Sequence, residues 1–599
     1  MRKSTLLLLL AIMMLISNTV QPLASEQGVA ARRVNIPYSS GEVDWAQTAI
    51  FWFGENKQGV PSKNYIDVRM AYTAEALRVR TTVVDYYLWY KENPIATDDL
   101  TQYDAVEIYL DTSFDRAATP QTDDYIFLVG ARHWPTENAP QYHRQARGTG
   151  AGWNTAWTGD WTDSEAMQWW CNPGPNSNTC GIDYGWTAIF TIPWETLGLS
   201  GPPTEGTVWG LGAQLYDRDD LPPAGYVAPE HWPETLLTGN PATWGELHFG
   251  YADYEPPDVV PEGTTMIRAA SPEDNTVEDA WMGGGGTCSG GHEGGSEDNH
   301  GDSTNLFVGT ETAPTHFPCF NKSYLRFSLD AIPAGKEIVS ATLTLHHWGN
   351  AGNPGQAQLS WVHLFSISDV LWDEMAIHWN NAPLAQENID VTLIDPDLPI
   401  ADWPGNPYYW DATQAVAEAY ATGQPVNLAI YSSDTAQHSS RYLVSSETGD
   451  WNVEGRPALT VVWGQEAPLK KSAQTAPAPP DTLLSLGGAI TYTLRVLGSD
   501  QALTMTDVLP ARISHPLTYT ASYGSIAYDT GARELTWTGA PSAGQVVTIT
   551  YPVTVTQGGT YTIVNTAHLA MADGGTSTAS STVIVEPWQA FLPSVFRQR

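Results

Sequence analysis

The sequence predicts an all-β protein of serial β-sandwich or jelly-roll domains joined by Pro-rich linkers, on three observations. Alternate residues share character nearly everywhere, as in Leu77, Val79, Thr81 and Val83 and again in Val106, Ile108 and Leu110, with turn residues between the runs. Gly (52) and Pro (42) are abundant beside 25 Trp and 27 Tyr, a make-up typical of turn-rich extracellular β-domains. Helical periodicity is scarce: the main candidate helix is 412–421, behind a capping Asp411, and a short turn is expected at 194–197.

At the N-terminus, Arg2 and Lys3 precede the apolar run Leu6 to Ile16 and the small-residue stretch Pro22-Leu23-Ala24-Ser25, the pattern of an export signal over 1–25. The expected location is extracellular, secreted or at the cell surface. The run is too short for a membrane anchor, and no later stretch approaches the ~20 apolar residues that span a bilayer. A length of 599 residues, against ~100 to 200 per domain, predicts three or four cores. Lys and Arg total 28 against 66 Asp and Glu, a net charge of −38 that argues against nucleic acid and anionic lipid as partners. Neutral glycans, cations and basic surfaces remain.

Four cysteines in an exported chain read as two disulfides, Cys171 with Cys180 and Cys288 with Cys319. The second pair has a rival in zinc, since Cys288, His292, His316 and Cys319 supply four tetrahedral ligands; export favours the disulfide. Two Pro-rich stretches, 253–263 and 465–481, divide the mature chain into three segments, 34–251, 264–463 and 483–586, followed by a tail at 587–599.

The first segment carries four ordered motifs: Leu77-Arg78-Val79-Arg80-Thr81-Thr82-Val83-Val84-Asp85, Asp104-Ala105-Val106-Glu107-Ile108-Tyr109-Leu110-Asp111, Gly185-Trp186-Thr187-Ala188-Ile189-Phe190-Thr191-Ile192-Pro193-Trp194, and Trp209-Gly210-Leu211 running to Tyr216-Asp217-Arg218-Asp219. With these it resembles the family 9 carbohydrate-binding modules. The resemblance implies a β-sandwich in which two aromatics hold a terminal sugar. The counterpart of one is Trp232; where the other would stand is Thr101, leaving Tyr103 or Trp89 as substitutes. Burial in the core is the competing reading for any of these tryptophans. Asp104, Glu107 and Asp111 are the candidate calcium ligands, against a reading as free carboxylates. A haem-binding branch of the fold is disfavoured, because no Cys-x-x-Cys-His occurs.

The second segment carries Ser323-Tyr324-Leu325-Arg326-Phe327, Ile338-Val339-Ser340-Ala341-Thr342-Leu343-Thr344-Leu345, Trp372-Asp373-Glu374, Ile377-His378-Trp379-Asn380, Trp410-Asp411-Ala412-Thr413 and Arg456-Pro457-Ala458-Leu459. It resembles the DNRLRE-type domain, also classed among carbohydrate-binding modules, which implies a jelly-roll-like sandwich. Trp372 and Trp379 read as core residues packed around one corner. The Gly-rich, acidic loop 283–302 lacks calcium-loop spacing and reads as a solvated insertion. The third segment, through Ala489-Ile490-Thr491-Tyr492-Thr493-Leu494 and Thr504-Met505-Thr506-Asp507-Val508-Leu509-Pro510, resembles the DUF11-type immunoglobulin-like domains, which implies a spacer. The tail 587–599 reads as a sorting tag or a last strand.

No G-x-S-x-G, H-E-x-x-H or P-loop occurs, and the sandwich segments leave no room for a typical ~250-residue catalytic barrel. The expected function is therefore non-catalytic binding of polysaccharide or cell-surface glycan. A structural or adhesive surface protein without sugar binding is the alternative, and an unrecognised polysaccharide-degrading enzyme the second.

Overall fold

A computed structural model describes residues 31–585 apart from 58–60, 133–138, 169–182, 184, 220–224, 252–253, 255–258, 285–294, 311–319, 354, 369–371, 397–401, 434–437, 477–483 and 560. The stretch 1–25 expected to be an export signal, all four cysteines, His292, His316 and the tail therefore lie outside the described residues. The chain divides into two compact units, one of residues up to 254, 264–332 and 340–461, the other of 255–263, 333–339 and 462 onward. Nearly every element is a strand, as the period-two pattern predicts.

In the larger unit, residues 33–249 form two sheets. One runs in the order Arg33–Ile36, Gly245–Phe249, Val208–Tyr216, Ala105–Asp111, Asp124–Gly130, His143–Gly148 and Trp153–Asn154, with Glu230–Trp232 attached to Val208–Tyr216. The other runs Ala49–Lys57, Lys63–Tyr72, Ala76–Val84, Gly185–Pro193 and Thr162–Gln168. The alternating residues singled out in the sequence fill the space between them: Leu77, Val79 and Val83 from one sheet meet Val106, Ile108 and Leu110 from the other in one buried cluster. The turn expected at 194–197 is a short 3-10 helix closed by Gly198 at φ +78°.

The strand Ala49–Lys57 opens on Ala-Ile-Phe-Trp-Phe, five apolar residues without alternation, because both its faces are buried. Ala49, Phe51 and Phe53 face the sandwich interior, whereas Ile50 and Trp52 enter a second cluster with Tyr65 and Val84. That second cluster is completed by residues 280–431, among them Tyr324, Phe365, Trp379 and Tyr431. Trp372 and Trp379 both lie within it, as packing around one corner predicts. Polar side chains close its margins. Asn56 N–H donates to Asn380 Oδ1 at 2.7 Å, and Arg69 Nε donates to the Ser433 carbonyl at 3.0 Å. Asn35 N–H donates to Asn388 Oδ1 at 2.8 Å.

The remaining strands of this unit belong to an eleven-stranded hydrogen-bonded array. Ala341, Leu343 and Leu345 are buried on the strand Glu337–Asn350 while Thr342 and Thr344 lie on its half-exposed face. The one α-helix among the described residues is Thr413–Thr422. The helix begins one residue later than expected, with Ala412 rather than Asp411 at its N-cap; Asp411 Oδ1 still accepts from Thr413 N–H at 2.8 Å, and Gly423 at φ +67° ends the helix.

The smaller unit is a sandwich of Leu469–Ala476, Ala489–Leu497, Val546–Thr554 and Thr520–Ala521 against Ser525–Asp529, Glu534–Gly539, Leu503–Val508, Tyr561–Met571 and Thr576–Val585. Alternate residues such as Ile490, Tyr492 and Leu494 meet Met505, Trp537 and Leu569 inside. Lys471 is buried with them and pairs with Asp507 at 2.5 Å. The strand Leu469–Ala476 lies within the stretch read as a spacer. The prolines there stand at 468, 477, 479 and 480, outside the paired run, and a composition window averages that run away. Val259–Ile267 is likewise a strand, at the edge of its array, where Pro261 is tolerated.

Candidate functional site

The structure buries two of the three aromatics expected to hold sugar. Trp232 is 1% exposed, its ring 4.3 Å from that of Phe51, and a Cβ at Gly245 would stand 2.8 Å from its far edge. Trp89 is 2% exposed and its backbone N–H donates to the Asp104 carboxylate. Both rings belong to the interior and present no open face. Tyr103 is half-buried, with Lys91 Nζ 5.7 Å from its ring centre.

Asp104, Glu107 and Asp111 do not come together. Strand alternation turns Asp104 to one side and Glu107 and Asp111 to the other, and the latter two are separated by four residues, about 13 Å along the strand. Glu107 accepts from the hydroxyls of Tyr109 and of Tyr216, the latter at 2.8 Å. Asp111 caps a turn, accepting from the N–H groups of Ser113, Phe114 and Arg116. Asp104 accepts from Arg218 N–H at 2.8 Å and faces the charges of Asp85 and Asp217.

Asp111 lies in a carboxylate cluster with Asp115 and Asp123, and a more deeply buried cluster stands beside Asp104. Asp85, Asp217 and Asp219 place ligand oxygens within 4.8 Å of one another, and all three are buried. Asp219 is held by Ser62, whereas neither oxygen of Asp217 has a hydrogen-bond partner. Burial, reinforced by Asp219, pushes Asp85 up to about 8. A set of hard carboxylate oxygens fits calcium, which takes 6–8 oxygens in irregular geometry. All three residues stand in the sequence motifs quoted above. What the sequence hides is that the ends of the strands Ala76–Val84 and Val208–Tyr216 converge.

The most exposed tryptophans lie elsewhere. Trp403 is 53% and Trp451 66% exposed, their ring centres 4.7 Å apart and their planes at 88°. Trp348 adds a third ring 6.0 Å from Trp403. A β-bulge between His347 and Gly349, where Glu337–Asn350 pairs with Arg441–Val444, sits at Trp348 and re-aims its side chain. Beneath, Trp348 rests on Tyr442 at 5.7 Å and Tyr442 on Phe307 at 4.9 Å, so the platform is backed by packed rings. Trp451 rides on the short helical segment Asp450–Gly455, tied down where Arg456 pairs with Asp450 at 2.7 Å and His346 Nδ1 meets the Gly455 carbonyl at 3.1 Å.

Two perpendicular indoles open to solvent form a wall and a floor for a flat apolar face with polar edges, which is the shape of a pyranose ring. Sequence reasoning did not single out these three tryptophans. The available signal was context: Trp403 and Trp451 stand in Asp-Trp-Pro-Gly and Gly-Asp-Trp-Asn, turn sequences that cannot bury an indole by strand alternation. A second concavity, about 390 Å³, lies between the sheets' edges in residues 125–198, lined by Tyr125, Arg147, Trp157, Asp160, Glu195 and Thr196.

Comparison with known proteins gives a match of residues 290–461 to the family model described as carbohydrate-binding module family 96. No match was found among the curated proteins compared. Among solved structures, the chain is similar to a carbohydrate-binding module family 9 from Caldicellulosiruptor kristjanssonii in complex with cellotriose, at 22% identity and TM-score 0.25, over 39% of this chain and 100% of that one. The same module in complex with glucose matches at 22% identity and TM-score 0.25, over 37% and 99%. The collagen-binding subdomain of the Enterococcus faecalis surface protein ACE matches at 10% identity and TM-score 0.15, over 19% and 95%. The tryptophan platform lies wholly within the matched residues 290–461, which carry a domain similar to a carbohydrate-binding module.

Proposed function

We propose that this protein is a non-catalytic binder of neutral polysaccharide or cell-surface glycan, and that Trp403, Trp451 and Trp348 hold the sugar. The observation that carries this is a pair of tryptophans more than half exposed, backed by packed rings, inside the segment similar to a sugar-binding module. Neutral glycans are favoured over acidic ones because Asp402, Asp450 and Glu454 flank the platform in sequence and the whole chain carries −38. Binding rather than chemistry is supported by the lack of a nucleophile, zincin or phosphate-loop motif.

Secretion fits the export-signal pattern at 1–25, and among the described residues no helix is long and apolar enough to cross a membrane. In this reading residues 264–463 are a DNRLRE-type module and residues 483–586 a DUF11-type spacer. Calcium would be held by Asp85, Asp217 and Asp219 beside Asp104, a different set from that expected on the strand Ala105–Asp111 alone.

The test is depletion of the full-length protein by a panel of soluble and insoluble polysaccharides, with Trp403→Ala, Trp451→Ala and Trp157→Ala alongside. Each platform variant is expected to weaken binding about tenfold, the worth of one aromatic contact of ~1.4 kcal/mol, and the pair together about a hundredfold. Full binding by the double platform variant would refute the assignment, and loss in Trp157→Ala alone would move the site to the cleft.

A further inference from the structure

Asp279, Glu374 and Glu447 form a further carboxylate cluster, separate from Asp85, Asp217 and Asp219 and from Asp111, Asp115 and Asp123. It joins three elements distant in sequence: Asp279 on the strand Val277–Gly283, Glu374 in the turn after Trp372, and Glu447 in the turn after Arg441–Val444. Their ligand oxygens lie within 4.8 Å of one another.

Asp279 is 1% exposed. Its Oδ2 accepts from Ser446 N–H at 2.9 Å, and its Oδ1 has no partner. Glu447 repeats the pattern, with Oε1 taking the Ser446 hydroxyl at 2.8 Å and Oε2 without a partner. Glu374 Oε1 accepts from Asp279 N–H at 2.6 Å. Among the described residues none of the three forms an ion pair. The guanidinium of Arg326, whose charge acts on Glu374, donates to Glu278, to the Trp372 carbonyl and, at 3.0 Å, to Asn427 Oδ1.

We propose that Asp279, Glu374 and Glu447 are a divalent-cation site, calcium by its all-oxygen donors, that fixes the turn leading to Trp451. Two ionised carboxylates are both acceptors and cannot satisfy each other, so the bare oxygens of Asp279 and Glu447 call for a cation or for shared protons. Calcium suits the set better than zinc, which prefers nitrogen and sulfur, and better than magnesium, which demands octahedral order.

The turn that holds Glu447 continues directly to the platform. Arg456 donates to the Thr448 carbonyl at 2.8 and 2.6 Å and to Asp450 beside Trp451, so an ion at Glu447 and the guanidinium at Thr448 pin both sides of residues 445–456. This second consequence rests on the platform reading; the ion site itself does not.

The experiment is equilibrium dialysis of the full chain against calcium, with bound ions counted for wild type, the Asp279→Asn/Glu447→Gln double variant and Glu374→Gln, and folding verified for each by circular dichroism. Glu374 is half-exposed, so its amide tests the site even if the double variant does not fold. The expected result is one calcium fewer per chain in the variants, while Asp217→Asn removes a different one and the two losses add. The same number bound by wild type and folded Glu374→Gln would overturn the proposal, as would no loss beyond that of Asp217→Asn, which would mean that the three carboxyls share protons. Glycan depletion run in parallel reads the platform separately: loss of the ion with no change in glycan affinity would leave the site standing and remove only its tie to Trp451.

Discussion

Replacing Trp52 with alanine is expected to lower the stability of the larger unit by about 3–5 kcal/mol, the range for deleting a large buried aromatic whose cavity cannot fully collapse. The ring is 2% exposed and meets Phe365 edge-on at 5.1 Å and Tyr431 at 5.4 Å, both on strands that follow it by more than three hundred residues. Its Nε1 has no partner, so the substitution strands no hydrogen bond and the loss is one of packing together with the ring's contact with Lys322. Because the ring lies in a cluster drawn from both 50–86 and 280–431, its removal should shift a single cooperative transition of the larger unit in denaturant melts. Two transitions in the wild type, only one of them moved by Trp52→Ala, would show that residues 33–249 and 264–461 unfold separately.

That cluster marks where sequence reading stops. The inward face of the first sandwich was legible because Leu77, Val79, Val83, Val106, Ile108 and Leu110 alternate with residues of another character. The outward face was not. Ile50, Trp52, Tyr65 and Asp67 have partners such as Tyr324, Phe365 and Tyr431 that only tertiary structure brings near. The unbroken run Ala-Ile-Phe-Trp-Phe did carry a trace of it, since a strand apolar on both faces needs cover on both.

The site shows the same division. Asp85, Asp217 and Asp219 were visible as motif residues, and burial of Trp232 agrees with its competing core reading. The platform needed a bulge at Trp348 and two turns at Trp403 and Trp451 to converge, and no local pattern encodes that convergence.

Lys322→Met is expected to change how stability depends on pH, with most of its effect between pH 7 and pH 10. Lys322 is 1% exposed, and its Nζ stands 4.0 Å from the Trp379 ring centre, 4.8 Å from Trp52 and 5.3 Å from Tyr65. Burial pushes the ammonium down from 10.5 to about 7, with Asp67 pulling it back up. A lysine whose folded value lies below its unfolded one binds fewer protons folded than unfolded between those two values, so its contribution to stability rises with pH across that window. Below pH 7 the folded protein bears the full cost of a buried charge, and above about 10.5 it bears none.

The difference between 10.5 and about 7 corresponds to about 5 kcal/mol, and each ring facing a desolvated ammonium returns about 0.5–2 kcal/mol of that. The three rings together return at least about 1.5 kcal/mol, so the net pH-linked change is at most about 3.5 kcal/mol. Methionine has nearly the same length and no charge, so the variant should equal or exceed wild type in stability at pH 7 and lose the advantage as the pH approaches 10. Chemical denaturation of both proteins at half-unit pH steps isolates the effect, because the raised carboxyls of Asp85, Asp104 and Asp217 titrate alike in both and cancel in the difference. Parallel profiles would show that the three rings hold Lys322 charged throughout. In that case the aromatic cage and Asp67 together are the counterweight that keeps an ammonium inside the fold.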